Sequence, residues 1–255
     1  MFARTMERAL RIVPSTNIVV VANRRHSSLV RKDAPAVKGD NLILEPFSRN
    51  TAPAVILAAK VLFKKKKDAL MVVLPADQYI HDESSYIDAV RKGIDFVNNH
   101  RKGIVVLATR PTEPSTAYGY VRLRRAKCWT RRAEKVKEFI EKPDLSTAKR
   151  YLRNKRYLWN TGAFIFSASG ILDAARRLVP GIYDTVTGNR DIGKMYERLP
   201  DISIDYAVME RASNIYCVMG EYGWQDMGSF ESLKSILKRE SRRFVSRGGK
   251  IVKII

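Results

Sequence analysis

Three short, unbroken apolar runs limit what this chain can become: Ile18-Val-Val-Val-Ala22, Met71-Val-Val-Leu74 and Ile104-Val-Val-Leu-Ala108. Each is short for a helix and rich in β-branched residues. None alternates with polar residues, as a strand with one wet face would. They read as parallel strands covered on both faces. Helical signals fall between them. Ser48-Arg-Asn-Thr-Ala-Pro53 offers Asn50 or Thr51 as an N-cap and Pro53 in the first turn, ahead of the apolar stretch Ala54 to Phe63. Ser84 is the expected cap of a helix with Ile87, Val90, Ile94 and Val97 on one face, broken at Gly103. Upstream, residues Ala3 to Val13 and His26 to Asp33 read as helices, and Leu42-Ile-Leu-Glu45 as a strand stopped by Pro46. The alternation predicts an α/β fold with a mostly parallel, doubly wound, Rossmann-like sheet.

After Thr109 the pattern changes. Val121 to Leu123 and Val136 to Ile140 alternate like antiparallel strands with one exposed face. Helices are expected over Ser146 to Arg153, Ser169 to Leu178, Arg190 to Leu199, Ile204 to Arg211 and Ser229 to Glu240. Tyr157 to Gly162 reads as a turn feeding a strand at Ala163 to Phe166. Further strands are expected at Ile215 to Met219 and Lys250 to Ile255. The expected organisation is one domain over residues 1–240 and a basic tail, or the start of an extension, over 241–255.

Composition narrows the function classes. The formal net charge is +21, with dense basic runs at Lys64 to Lys67, Arg122 to Arg132 and Arg239 to Arg247. Aromatics are scarcely interleaved with them and no nucleic-acid motif occurs, so the charge argues for a basic surface or an anionic substrate. No apolar run approaches the ~18 residues of a membrane span. Cys128 and Cys217 form no metal pattern and no secretion signal is present, which points to the cytoplasm.

The run at Met71 ends at Pro75, and Asp77 sits just past the strand's carboxyl end, where open α/β sheets bind ligands. A carboxylate there is a metal ligand or the cap of the next helix. Asp226, flanked by Gly223 and Gly228, is a second turn aspartate.

Several stretches in one order carry a resemblance: Glu45-Pro-x-x-Arg-Asn-Thr-Ala-Pro53, Leu74-Pro-Ala-Asp77, Tyr118-Gly-Tyr120, Phe139-Ile-Glu-Lys-Pro143, Trp159-Asn-Thr-Gly162, Ser203-Ile-Asp-Tyr-Ala-Val-Met-Glu210 and Gly223-Trp-Gln-Asp-Met-Gly-Ser229. The chain resembles the mannose-1-phosphate guanylyltransferases, of the sugar-nucleotidyltransferase fold, over about residues 3–235. The resemblance implies attack of a mannose-1-phosphate oxygen on the α-phosphorus of GTP, with pyrophosphate leaving. It implies Mg2+ on Asp77 and Asp226, both catalytic, and Lys142 on the sugar phosphate as a point charge. Glu141 and Asn160 would hold sugar hydroxyls, with Gly119 and Gly162 admitting close backbone. Glu45 would read guanine, and Asn50, Thr51 and Ala52 would line the nucleotide site. Asp205 would touch substrate or lie just behind it. Each has a plainer alternative: capping for Asn50, turn chemistry for Asn160 and Gly162, an exposed ion pair for Glu141 and Lys142.

One part of the resemblance is absent. The family's first, central strand leads into a Gly-Gly-x-Gly-Thr-Arg loop that cradles the triphosphate. Here the adjacent glycines are Gly248-Gly249. The expectation is a sheet lacking its first central strand, leaving Ile18 to Ala22 and Val72 to Leu74 with unpaired edges. A mis-called start codon, a split gene or a decayed copy would each produce this. A homo-oligomer or a complementing N-terminal fragment is then a natural partner. A non-catalytic binding subunit is the rival reading.

Overall fold

The computed structural model describes residues 1–124, 133–189, 191–227, 244–247 and 250–253. The expected helix over Ser229 to Glu240, Cys128 and Gly248-Gly249 lie outside them. The first half follows the alternation in the sequence. Helix α1 (Phe2–Leu10) precedes β1 (Val20–Asn23), α2 (Ser27–Asp33) and β2 (Leu42–Glu45). Then come α3 (Thr51–Lys65), β3 (Leu70–Val73), β4 (Gln78–Ile80), α4 (Glu83–Asn99) and β5 (Ile104–Thr109). Helix α4 is capped by Asp82, not Ser84: its carboxylate accepts from Ser85 N at 3.0 Å and from the Ser85 hydroxyl at 2.6 Å. Asp77 is therefore not the cap of that helix.

The second half adds β6 (Tyr120–Leu123), β7 (Glu134–Ile140), α5 (Leu145–Leu152), β8 (Tyr157–Ser167), α6 (Ala168–Leu178), α7 (Pro180–Gly188) and α8 (Ile192–Arg198). A π-helical turn over Asp205–Met209 leads to β9 (Ile215–Met219) and β10 (Trp224–Asp226). Strands β11 (Phe244–Arg247) and β12 (Lys250–Lys253) pair antiparallel with each other.

The α/β class is as expected, but the main sheet is mixed. Its order is β3-β8-β5-β9-β7-β6. Strands β5 and β9 pair parallel, while β8 runs antiparallel between β3 and β5. An apolar run reveals burial on two faces but not direction, so this was invisible in the sequence. The expected turn at Tyr157 to Gly162 is also corrected, because β8 is continuous through it. Gly162 adopts φ +70°, and its N–H donates to the Asn160 side chain at 2.8 Å. Turn chemistry thus makes an irregularity inside a strand, opposite a register shift between Val106 and Ala108 of β5.

The central strands are buried on both faces. Ile104, Val106 and Ala108 of β5 face one apolar cluster with Val55, Ile56 and Ala59 of α3 and Ile171 of α6; Val105 and Leu107 face another with Tyr86 and Val90 of α4. Neighbouring side chains of a strand point to opposite faces, so one run serves both layers.

The β1–β2 pair is a separate parallel sheet. Among the described residues no strand pairs with the outer edge of β1 or of β3. Between these edges runs a cavity of about 440 Å³, walled by Val19 to Val21 and Leu70 to Val73, with Val55 and Ala58 of α3 and Met6 of α1 also lining it. This is the gap expected for a sheet without its central strand. Helix α1 is held in place by Arg8, which is buried and donates to Thr5 Oγ1 at 2.7 Å and to the Gln78 carbonyl at 3.2 Å.

Candidate functional site

Strand register brings together the residues that the resemblance assigns to the sugar. Tyr120 of β6 stands opposite both Ile140 of β7 and Trp159 of β8. One step beyond, Gly119, Glu141 and Asn160 therefore converge. Asn160 N donates to the Gly119 carbonyl at 2.8 Å. A Cβ on Gly119 would lie 2.3 Å from Glu141 Oε2 and 3.3 Å from Asn160 Nδ2. Only a glycine leaves room for this carboxylate. Asn160 Nδ2 donates to Asp205 Oδ1 at 2.9 Å, while its Oδ1 accepts from Gly162. Gly162 lies against Pro75: a Cβ there would meet Pro75 Cγ at 3.2 Å.

The electrostatics of this cluster are unusual. The Glu141 side chain is 10% exposed, and among the described residues its Oε2 has no hydrogen-bond partner. Burial first, then the neighbouring Asp205 carboxylate, raise its pKa to about 8 against the pull of Lys142. Burial likewise raises Asp205, opposed by hydrogen bonds from its own backbone and from Asn160. Lys142 Nζ stands 4.0 Å from Glu141 Oε1 and is half-exposed. Its backbone is left-handed, φ +49°, and Glu141 N donates to Glu210 Oε1 at 2.8 Å. A non-glycine residue held there is strained, and such strain concentrates at working sites.

Strand pairing also brings the backbone of Asp226 opposite the residue that follows Asp77. Strand β10 pairs antiparallel with β4, and Asp226 is the register partner of Gln78. Asp77, exposed, is the residue before Gln78. Tyr118 joins this pair to the sugar side: its ring packs edge-on against Trp159 at 5.1 Å and Trp224 at 5.0 Å. Burial, then the Asp226 charge, raise its pKa. Among the described residues no three His, Cys, Asp or Glu groups cluster to hold a metal. Two carboxylates still suit Mg2+, which takes one or two and completes its shell with water and phosphate oxygens.

Among the residues that the resemblance assigns to the nucleotide, Asn50 caps α3, its side chain accepting from Thr51 N at 3.0 Å. Its backbone sits at φ +62°, ψ −166°, a region costly for any residue but glycine. Capping alone does not require that strain. Thr51 Oγ1 accepts from Ile204 N at 2.8 Å, and Ala52 N donates to the Ile202 carbonyl at 3.1 Å. The start of α3 is thereby tied to the turn bearing Asp205. Glu45 ends β2 and accepts from the Tyr196 hydroxyl at 2.7 Å. Burial raises its pKa against that hydrogen bond. Glu45 is thus held by Tyr196 of α8, and among the described residues it stands apart from the Gly119–Glu141–Asn160 cluster.

Three contributors escaped the sequence reading. Tyr196 is fully buried and holds Glu45; no motif marks it. Glu210 and Gln78 hold the Glu141 backbone and the Thr161 carbonyl. Both lie inside or beside quoted motifs, and only tertiary contacts reveal their partners.

An α/β fold with acidic, glycine-bounded positions at its strand ends defines the class: a nucleotidyltransferase-type domain. The chain belongs to the nucleotidyl transferase family, whose profile matches residues 1–242. It is 37% identical over 245 residues to "Mannose-1-phosphate guanylyltransferase RfbM" of Salmonella typhimurium, covering 90% of this chain and 50% of that protein. It is 33% identical over 265 residues to "Alginate biosynthesis protein AlgA" of Pseudomonas putida, covering 99% of this chain and 54% of that protein. The chain thus spans about half the length of these relatives. A Thermus thermophilus crystal structure described as "mannose-1-phosphate geranyltransferase" superposes with TM-score 0.83 at 31% identity, over 92% of this chain and 68% of that one.

Proposed function

We propose that this chain supplies most of the domain that transfers GMP from GTP to mannose-1-phosphate, giving GDP-mannose and pyrophosphate. The observation that carries the reading is the β10–β4 register, which sets Asp226 opposite Gln78, the residue after Asp77, while Tyr118, the neighbour of Gly119, packs on Trp224 of the strand that bears Asp226. The names of the relatives favour the guanylyl and mannose sides of the reaction.

Asp77 and Asp226 would hold Mg2+, which would neutralise charge on the α-phosphate and the leaving pyrophosphate. Lys142 would draw the sugar phosphate toward the α-phosphorus. Glu141, Asn160 and the Gly119 backbone would bind sugar hydroxyls, and the Gly162 backbone would bound that pocket. Thr51, Ala52 and Asn50 would line the nucleotide, with Glu45 accepting from the guanine edge. The sugar-phosphate oxygen forms the new P–O bond as the bond to pyrophosphate breaks. The domain's work is positioning and charge neutralisation. The reading places the reaction in the cytoplasm and residues 241–255 outside the reacting domain.

The test is turnover of GTP and mannose-1-phosphate with Mg2+, with and without an N-terminal fragment bearing a Gly-rich Thr-Arg loop. GDP-mannose and pyrophosphate appearing with the fragment, and not when Asp226 is asparagine, is the expected result. No product under either condition would sink the reading. The open slot between β1 and β3 favours a second reading, a subunit that binds GDP-mannose without turning it over. Calorimetric binding of GDP-mannose by the chain alone, with no product even beside the fragment, would support it.

A further inference from the structure

Both charged residues of the Glu45-Pro-x-x-Arg49 stretch close on one residue of α8. Tyr196 is fully buried. Its hydroxyl donates to Glu45 Oε1 at 2.7 Å, and its carbonyl accepts from Arg49 Nε at 3.0 Å. The contact continues past α8: the Arg49 carbonyl accepts from Ile202 N at 3.4 Å, and the Ile202 carbonyl from Ala52 N at 3.1 Å. The segment after Tyr196 thus backs the whole stretch from Glu45 to the start of α3.

Among the described residues Tyr196 is the one donor to the Glu45 side chain, and no cation pairs with it. Arg49, four residues on, bonds a carbonyl instead of that carboxylate. A neutral hydroxyl fixes a carboxylate without cancelling its charge, so a strong, charged acceptor is kept for whatever binds. Burial first, then the bond to Glu45, raise the Tyr196 pKa, and the hydroxyl keeps the proton it donates. An unheld glutamate loses rotamer freedom on binding a ligand; one already held loses less. Oε1 keeps a second lone pair beside Tyr196, and Oε2 has no partner among the described residues. The held carboxylate therefore offers two acceptors in one plane.

We propose that Tyr196 is a positioning residue for base recognition: with Arg49 on its carbonyl, it holds Glu45 in one orientation, and the carboxylate takes a nucleobase with two neighbouring N–H donors in one plane. Guanine presents that pair in N1–H and its 2-amino group. Hypoxanthine has N1–H alone, and adenine has an amino group beside a bare ring nitrogen. This deepens the nucleotide assignment above and rests on it for the base that meets Glu45.

The probes are GDP, IDP and ADP, titrated calorimetrically into the full chain, with mannose-1-phosphate as the control ligand. The unsubstituted chain should bind GDP at least ~tenfold more tightly than IDP or ADP. Tyr196→Phe should bring GDP to within ~threefold of IDP and leave mannose-1-phosphate affinity unchanged. In a Glu45→Ala background the same change should alter GDP affinity less than ~twofold, because its effect passes through Glu45. A melting curve reports whether Tyr196→Phe folds. If it does not, the half-buried Arg49 decides: Arg49→Met should lower the preference for GDP and spare mannose-1-phosphate. A preference unchanged in the variant, an equal loss for mannose-1-phosphate, or a full effect without Glu45 would overturn the inference. So would an unsubstituted chain that binds GDP no better than IDP, or binds no GDP either alone or beside the N-terminal fragment. Preference for GDP without GDP-mannose synthesis leaves the inference standing and removes the proposed reaction; equal synthesis from GTP and ITP does the opposite.

Discussion

The ends of β6 and β7 beside β8, and the gap between β1 and β3, are two regions built in different ways. At the ends of β6, β7 and β8, Gly119, Glu141, Asn160 and Asp205 interlock through backbone and side-chain contacts. Between β1 and β3 the backbone edges face a cavity. The first region holds a buried carboxylate, Glu141, whose Oε2 has no hydrogen-bond partner among the described residues, beside a strained Lys142. In the second, no described strand pairs with the facing edges.

The largest expected effect falls where the two regions meet. Asp226→Asn should cut turnover by the complemented protein at least ~100-fold through lost charge neutralisation, while GDP-mannose binding measured by calorimetry changes little. Equal loss of both would mean that Asp226 shapes the pocket and does not serve the reaction.

Gly119→Ala should break the sugar side alone. Its Cβ would press to 2.3 Å on Glu141 Oε2. Displacing that group costs about 1–3 kcal/mol of stability, and the KM for mannose-1-phosphate should rise at least ~tenfold. Amide-exchange protection of β1 and β3 should survive. A variant that loses both would show that the regions fold as one.

Glu141 gives the comparison a pH axis. Its pKa is raised in the folded chain to about 8, so folding favours its protonated form. The stability it contributes is fully present below its ordinary value of 4.5 and is lost as pH rises through the folded value. Glu141→Gln should flatten this decline between about pH 5 and 8, raise the melting temperature at pH 8, and weaken sugar binding. A decline unchanged in the variant would assign the pH dependence elsewhere.

The smallest effect should come from paired truncations. Val106→Ala, in fully buried β5, should cost about 2–3 kcal/mol, and Val21→Ala, half-buried beside the slot, about 1 kcal/mol or less. Denaturant midpoints would measure both. Equal costs would mean that the slot is already closed in solution.

Much of this was legible in advance because it is local. The run Leu42 to Glu45 and the run Ile215 to Met219 became strands with the bounds expected, and Asn50 caps α3. Short β-branched runs and capping side chains act over a few residues. The short strands β4 and β10, the continuity of β8 and helix α7 were not legible. Gln78 to Ile80 and Trp224 to Asp226 are each three residues long and are strands only because they pair with each other.

By itself, the sequence determined the α/β alternation, the family, and which acidic, asparagine and glycine residues deserved scrutiny. Those depend on residue type and near-neighbour spacing. Tertiary structure alone decided that β8 runs against its neighbours, that Tyr196 holds Glu45, and that Asp226 pairs with Gln78. Direction, register and burial belong to pairs of segments far apart in the chain. No local pattern records the energy of a contact whose partner lies about 150 residues away.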